Sequence, residues 1–312
     1  MRWGISGTGG IAAAMVEAVS QVGSDVVAIG SRSPRRAAAF VSTHGLEAVA
    51  GTVDDLVAAS PDVVYVASAN HMHVPDAIAC LEAGIPVLCE KPLAADSGGA
   101  RSIVEAARRT DTFLMEAMWM RFLPAWSRLE ELISAGVIGR LRTIKADFGV
   151  LANPDPGRRW FDPAQAGGSL LDVGIYPVTL AYLLAGAPTQ ISGVSTLAAS
   201  GVDAQFGIAM RHPDDVVSIL GSSFVSDTDL SATVSGSEGR IVLTAPFHHT
   251  SRLEHWISGE RVEIFDTSYD GSGYAFEVAE VERCLTEGLL ESPLHPLDDT
   301  LAVMEILDRL RR

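Results

Sequence analysis

Over residues 1–120, short apolar runs alternate with stretches whose apolar residues recur at helical spacing, each pair joined by a few turn residues. The rhythm predicts strands at 3–6, 26–30, 48–50, 63–67, 87–89 and 113–116, with helices at 11–22, 34–43, 53–59, 75–83 and 100–109 between them. Several strands are unbroken runs of β-branched and small residues, as expected when helices cover both faces, so these elements predict a doubly wound parallel sheet. Ser33 and Pro34 form an N-cap and first-turn pair, and Asp96 or Ser97 can cap the fifth helix. Past residue 121 the texture changes to a helix at 125–134, an alternating strand at 141–148, a loop over 153–168 and a helix at 169–184. Strand-like pieces follow at 190–197, 204–210, 216–223, 231–235, 240–243, 253–257 and 262–265, joined by turns and not by crossover helices. Helices at 275–287 and 297–310 close the pattern. The expectation is an α/β Rossmann domain over 1–120 and, over 121–312, an α+β domain with an open, mainly antiparallel sheet for substrate binding and oligomerisation.

Composition narrows the partners. The 312 residues are 47% hydrophobic, enough for two cores, and carry a formal charge of −16, a field that repels nucleic acid and anionic membrane surfaces. No apolar run approaches the roughly 18 residues that span a bilayer, and Met1-Arg2-Trp3-Gly4-Ile5 does not open a signal peptide, so the expected location is cytoplasmic. Cys80, Cys89 and Cys284 have neither disulfide nor zinc spacing, and no metal is expected. Of 23 basic residues only Lys91 and Lys145 are lysine, so a retained lysine hints at proton chemistry that arginine cannot perform.

The chemistry begins directly after the first strand. Gly7-Thr8-Gly9-Gly10-Ile11-Ala12 is a G-x-G-x-x-A turn opening a helix, in which glycine permits the tight turn and backbone approach to a pyrophosphate, while Ala12 permits close packing. A site for NAD would place Asp or Glu near the end of the second strand. Here Ser31-Arg32-Ser33-Pro34-Arg35-Arg36 stands there, and Arg32 and Arg36 suit a 2′-phosphate, which points to NADP(H). Glu90-Lys91-Pro92 ends a buried strand at its carboxyl edge, where ligands of such sheets sit and an ammonium can take part in proton transfer.

Together with Ser68-Ala69-Asn70-His71-Met72-His73 and the run from Ala83 to Pro92, these motifs resemble the glucose-fructose oxidoreductase, inositol dehydrogenase and rhizopine-catabolism (Gfo/Idh/MocA) family. Met115 to Pro124 and Ala166 to Pro177 resemble its branch of dimeric trans-dihydrodiol dehydrogenases and NADP-dependent D-xylose dehydrogenases. The resemblance implies an enzyme that transfers hydride between nicotinamide C4 and a carbon bearing a hydroxyl, in a cyclic polyol that is an aldopyranose at C1 or a trans-dihydrodiol. The family's D-x-G-x-H motif reads Asp172-Val173-Gly174-Ile175-Tyr176 here, with Tyr in the His place. It implies Tyr176 as acid/base, Lys91 as its electrostatic partner and Asp172 as an orienting group. Ser68, Asn70, His73 and Glu90 join the expected cofactor contacts, and His73, Trp119, Arg142 and Phe148 the expected substrate contacts. His248-His249 and His255-Trp256 have no metal-like companions and are read as structural. The family's packing of open sheet faces implies a homodimer or homotetramer. Two alternatives stay open: an NADPH-dependent reductase of a ketose or anhydro-sugar, and a catalytically silent NADP-binding regulator.

Overall fold

The computed structural model describes residues 1–152 and 159–311, so the expected loop over 153–168 lies partly outside the described residues. The chain forms two compact units, one of Met1–Phe122 with Asp270–Leu301, the other of Leu123–Tyr269 with Ala302–Arg312.

In the first unit β1 (Arg2–Ser6), α1 (Gly10–Gln21), β2 (Asp25–Gly30), α2 (Pro34–His44), β3 (Val49–Gly51), α3 (Val53–Ala58), β4 (Val63–Val66), α4 (His73–Glu82), β5 (Val87–Glu90), α5 (Ser97–Thr110) and β6 (Leu114–Ala117) alternate as predicted. The six strands run parallel in the order β3-β2-β1-β4-β5-β6, so the connection reverses direction beside β1 and opens a crevice at the carboxyl ends of β1 and β4. The unbroken apolar runs behave as their composition demands: β4, β5 and β6 are buried at every position. Asp96 caps α5 by accepting from the Gly99 N–H, whereas Ser33 starts α2 without a side-chain cap bond.

The second unit holds α6 (Pro124–Ser134), β7 (Leu141–Gly149), α7 (Ile175–Ala185) and seven further strands: β8 (Gln190–Leu197), β9 (Asp203–Arg211), β10 (Val217–Ser223), β11 (Ala232–Gly236), β12 (Arg240–Leu243), β13 (Arg252–Ile257) and β14 (Glu260–Asp266). The eight strands form one sheet, β14-β13-β12-β11-β7-β10-β9-β8. Turn-joined strands pair antiparallel, but β7 pairs with β10 in parallel, because the long excursion through α7, β8 and β9 returns the chain beside β7 in the same direction. One face, bearing Ile144, Ala146, Phe206, Ile208 and Leu220, is buried under α7. The other leaves Val194, Val217, Ile219, Val262 and Ile264 exposed.

The closing helices are α8 (Tyr274–Thr286) and α9 (Leu297–Leu310). A single cut at residue 120 would assign α8 to the second half, yet it groups with the first unit, where Ala275, Val278, Val281 and Cys284 join the core of Trp3, Met15, Tyr65 and Met115. The helical stretch Pro163–Ala185 is long and apolar enough to cross a bilayer by length and composition alone, contrary to the expectation from the apolar runs; 78% of its most apolar window is buried in the unit.

Candidate functional site

The turn after β1 is shaped by what stands over it. Gly7 has φ +138°, and a Cβ there would lie 2.4 Å from the Ala67 carbonyl oxygen, so only glycine lets β1 turn beneath the end of β4. Its N–H donates to Gly30 O at 2.9 Å, which ties the turn to β2. At Gly9 and Gly10, by contrast, a Cβ would meet nothing within 4 Å. The α1 N-terminus has no side-chain cap and no acidic residue in its first turn, so its amides and its positive dipole end face open space. Among the described residues the hydroxyl of Ser68, at the neighbouring strand end, is buried without a hydrogen-bond partner. Open amides, room for backbone approach and an orphaned hydroxyl fit the pyrophosphate of a dinucleotide.

Thr8 and Arg36 line one groove of about 360 Å³ with Ala39, Phe40, Thr43 and His44, which brings the phosphate turn and the arginine helix together. Arg32 and Arg36 are exposed, and among the described residues neither forms an ion pair. Ser31 donates its N–H to Gly51 O and accepts from the Ser33 N–H through its hydroxyl, fixing the backbone from which Arg32 projects. Ile11 is half-buried against the core.

The Glu90-Lys91-Pro92 turn is bolted from three directions. Glu90 accepts from Tyr65 Oη and from the Lys91 N–H. Glu116, 2% exposed, accepts from the Leu93 N–H at 3.0 Å and from Thr300 Oγ1 at 2.9 Å, with His295 Nε2 at 3.2 Å. His73 Nδ1 lies 2.9 Å from Pro92 O, and its Nε2 lies 3.0 Å from Ser68 O. Lys91 thus leaves a fixed backbone at the carboxyl edge of the sheet.

Glu90, an expected cofactor contact, is 8% exposed, and its carboxylate accepts from Tyr65 Oη and the Lys91 N–H. His73, an expected contact of cofactor and substrate, is 1% exposed, and both ring nitrogens face backbone carbonyls, so it braces the Ser68 loop to the Lys91 turn. Burial pushes its pKa down against the opposing pull of those carbonyls. Asn70 is buried in the single helical turn that follows Ala69. Trp119 is 9% exposed and packs on Tyr274 at a ring-centroid distance of 4.6 Å.

In the second unit Asp172 lies in a π-helical turn, Leu170–Gly174, that the sequence pattern does not reveal. Asp203 holds its start: one carboxylate oxygen accepts from Ser169 Oγ at 2.8 Å and from the Leu170 N–H at 2.7 Å, and Ser222 Oγ lies 3.0 Å from Ser169 Oγ. Gly174 keeps the turn close to β10, since a Cβ there would stand 3.1 Å from Ser222. Four residues beyond Asp172, Tyr176 is 6% exposed, its ring 5.4 Å from Phe148 and 5.2 Å from His248. His248 itself stacks on Phe148 at 4.3 Å. Asp172 pairs with Arg159 at 3.3 Å.

The structure therefore brings Phe148, Asp172 and Tyr176 together but not Arg142, which the motifs place beside substrate. Arg142 precedes Phe148 by six residues on β7, about 20 Å along an extended strand. Sequence reasoning misses Arg159, Asp203 and Tyr274, and it dismisses His248. Only the return of the 244–250 loop over β7, fixed where the Phe247 N–H donates to Leu230 O, brings that histidine to the tyrosine.

Comparison with known proteins supplies the lineage. Residues 1–118 match the oxidoreductase family with an NAD-binding Rossmann fold, and residues 126–242 match the Gfo/Idh/MocA C-terminal domain. The chain is 35% identical to mouse (Mus musculus) trans-1,2-dihydrobenzene-1,2-diol dehydrogenase, over 100% of its own length and 96% of the relative's. Among solved structures it resembles an aldose-aldose oxidoreductase from Caulobacter crescentus complexed with glycerol, with a TM-score of 0.89 at 21% identity, covering 100% of this chain and 96% of that one. It also resembles a 3-ketoreductase from Actinomadura kijaniata in complex with NADP and TDP-benzene, with a TM-score of 0.87 at 25% identity, covering 100% and 97%. The chain belongs to the Gfo/Idh/MocA family of oxidoreductases, and its first unit is the family's nicotinamide-nucleotide-binding Rossmann domain.

Proposed function

We propose that this protein is an NADP-dependent oxidoreductase that moves hydride between nicotinamide C4 and a cyclic polyol, an aldopyranose at C1 or a trans-dihydrodiol, with Tyr176 as acid/base and Lys91 as its electrostatic partner. The observation that carries the reading is the grouping of Tyr176 and Asp172 on one helix face beside the rings of Phe148 and His248. A ring compound can lay a C–H face on such rings while presenting a hydroxyl to the phenol.

When bound, the cofactor takes or returns the hydride. The rest falls to the chain. Oxidation requires a base for the hydroxyl proton, and a free phenol, with a pKa of about 10, is a poor one at neutral pH unless a nearby ammonium favours its phenolate. Lys91 supplies that ammonium from its braced turn, and Asp172, held by Arg159, orients the reacting group. The same residues serve reduction, in which the phenol gives the proton back.

Arg32 and Arg36, with no carboxylate at the end of β2, support NADP over NAD through charge-assisted bonds to a 2′-phosphate. The dihydrodiol dehydrogenase relative supports the diol class, and the 3-ketoreductase neighbour in complex with NADP supports the cofactor. The exposed apolar side chains on the open face of the eight-stranded sheet support self-association through that face as a homodimer or homotetramer.

The test is Tyr176→Phe against a panel of aldopyranoses and trans-dihydrodiols, followed by nicotinamide absorbance. Turnover should fall by about 10²–10⁴-fold while NADPH affinity is kept. A Tyr176→Phe enzyme with undiminished turnover sinks the assignment, and a wild-type protein silent across the panel despite tight NADPH binding favours the regulator.

A further inference from the structure

We propose that the buried carboxyl of Glu277 on α8 keeps its proton while that of Glu90, at the end of β5, carries charge, so that Glu277 is a positioning residue for the charge of Lys91. That role for Glu277 rests on the one proposed above for Lys91.

Glu277 lies on α8, is 0% exposed, and among the described residues neither of its carboxyl oxygens has a hydrogen-bond partner. An ionised carboxylate in that state carries its full desolvation cost with no donor to offset it. Glu90, also buried, has two donors, Tyr65 Oη and the Lys91 N–H. Of two buried carboxyls, the one without donors keeps its proton and the one with donors takes the charge. Burial, and after it the charge of Glu90, raises Glu277 well above the ordinary carboxyl range. Tyr65, 0% exposed, is raised by burial and then by Glu90 and Glu277, so its phenol remains a donor.

Other charged groups also surround α8. Glu280 is engaged by Arg283 and Ser292, and Glu282 by Trp3 and Ser24. From the elements packed on α8 come Glu17 of α1, which is exposed, Arg121 of the turn after β6, and Tyr274 at the start of α8 itself. On the sheet, Glu116 is occupied by Leu93, Thr300 and His295.

While Glu277 holds its proton, it adds no negative charge against that of Lys91. Once Glu277 ionises, a further negative charge offsets the ammonium and reduces its help to a phenolate, so turnover declines as pH rises through that ionisation.

The test compares Glu277→Gln, a neutral isostere, with wild type in three measurements on the full-length protein. A protonated-carboxyl C=O band in the infrared at neutral pH should be lost in the variant. The alkaline decline in kcat should vanish or move by about one pH unit or more. Stability supplies the third readout: a carboxyl whose folded pKa is raised costs nothing below its unfolded pKa, and stability falls as pH climbs from there to the folded value. Wild type should therefore lose thermal stability over that window while Glu277→Gln loses less. Unchanged infrared bands with superimposable pH profiles overturn the proposal. Lys91→Met separates the two claims: a fully active Lys91→Met enzyme refutes the functional reading, while the carboxyl band still decides where the proton sits.

Discussion

The two units hold their candidate chemistry in different ways. In the first, the Lys91 turn is fixed through backbone groups: the amides of Lys91 and Leu93 and the carbonyl of Pro92 each meet a buried side chain from a different element. In the second, Tyr176 is placed by ring contacts with Phe148 and His248 and by a π-helical turn anchored on Asp203. Backbone fixation spreads its energy over several buried hydrogen bonds, so a break should cost stability and lysine placement together. Ring contacts and a local clamp should yield more selectively, in rate before stability.

The largest effect tests the first half of that contrast. Glu116→Ala removes the acceptor for the Leu93 amide and Thr300 Oγ1 and one of the two partners of His295 Nε2, all in a site 2% exposed or less. Buried donors left without acceptors cost about 1–3 kcal/mol each and add incompletely, so urea denaturation should show a loss of about 3 kcal/mol or more. Turnover should fall with it. If stability drops and turnover per folded molecule does not, the Lys91 turn is held by something other than these bonds.

Next in size is the double variant Arg32→Ala/Arg36→Ala, which touches only the rim of the first unit. Two charge-assisted bonds to a 2′-phosphate are each worth about 1.5–3 kcal/mol, so NADPH affinity should fall by about 10²-fold or more and NADH affinity should change little, as read by fluorescence titration. Equal losses for the two cofactors would show that these arginines act through the fold and not through the phosphate.

The same contrast explains what the sequence makes legible. The parallel sheet can be read because β4 to β6 are buried on both faces, and buried runs announce themselves by composition. The phosphate turn and Glu90-Lys91-Pro92 can be read because backbone demands impose residue types, as the Ala67 carbonyl imposes glycine at position 7. What escapes is set by distant packing. The parallel pairing of β7 with β10 depends on where a long connection lands. Arg142 and Phe148 share a strand but stand at opposite ends of it, which a motif match does not register. His248 reaches Tyr176 only through the fold of its loop, and no local spacing marks it. Glu277 does leave a trace, as a charge between Phe276 and Val278 on a helix whose neighbouring positions face the core.

The smallest effect is the most selective, and it falls on the second unit. Asp203→Asn keeps an oxygen that can accept from Ser169 Oγ and the Leu170 amide, but removes the charge that makes both bonds strong. Charge-assisted bonds are roughly twice as strong as neutral ones, so the clamp should weaken without being lost, at a stability cost of about 1 kcal/mol. The π-helical turn it anchors carries Asp172 and leads into Tyr176, so a loosened start should displace the phenol relative to Phe148 and His248. Misplacement of a reacting group lowers kcat, and about tenfold is expected here, with NADPH affinity unchanged because every expected phosphate contact lies in the other unit. Measuring kcat beside NADPH affinity decides the point: a rate loss alone shows that the two units are set independently, whereas equal losses in both would mean that the Asp203 clamp also supports the Rossmann unit.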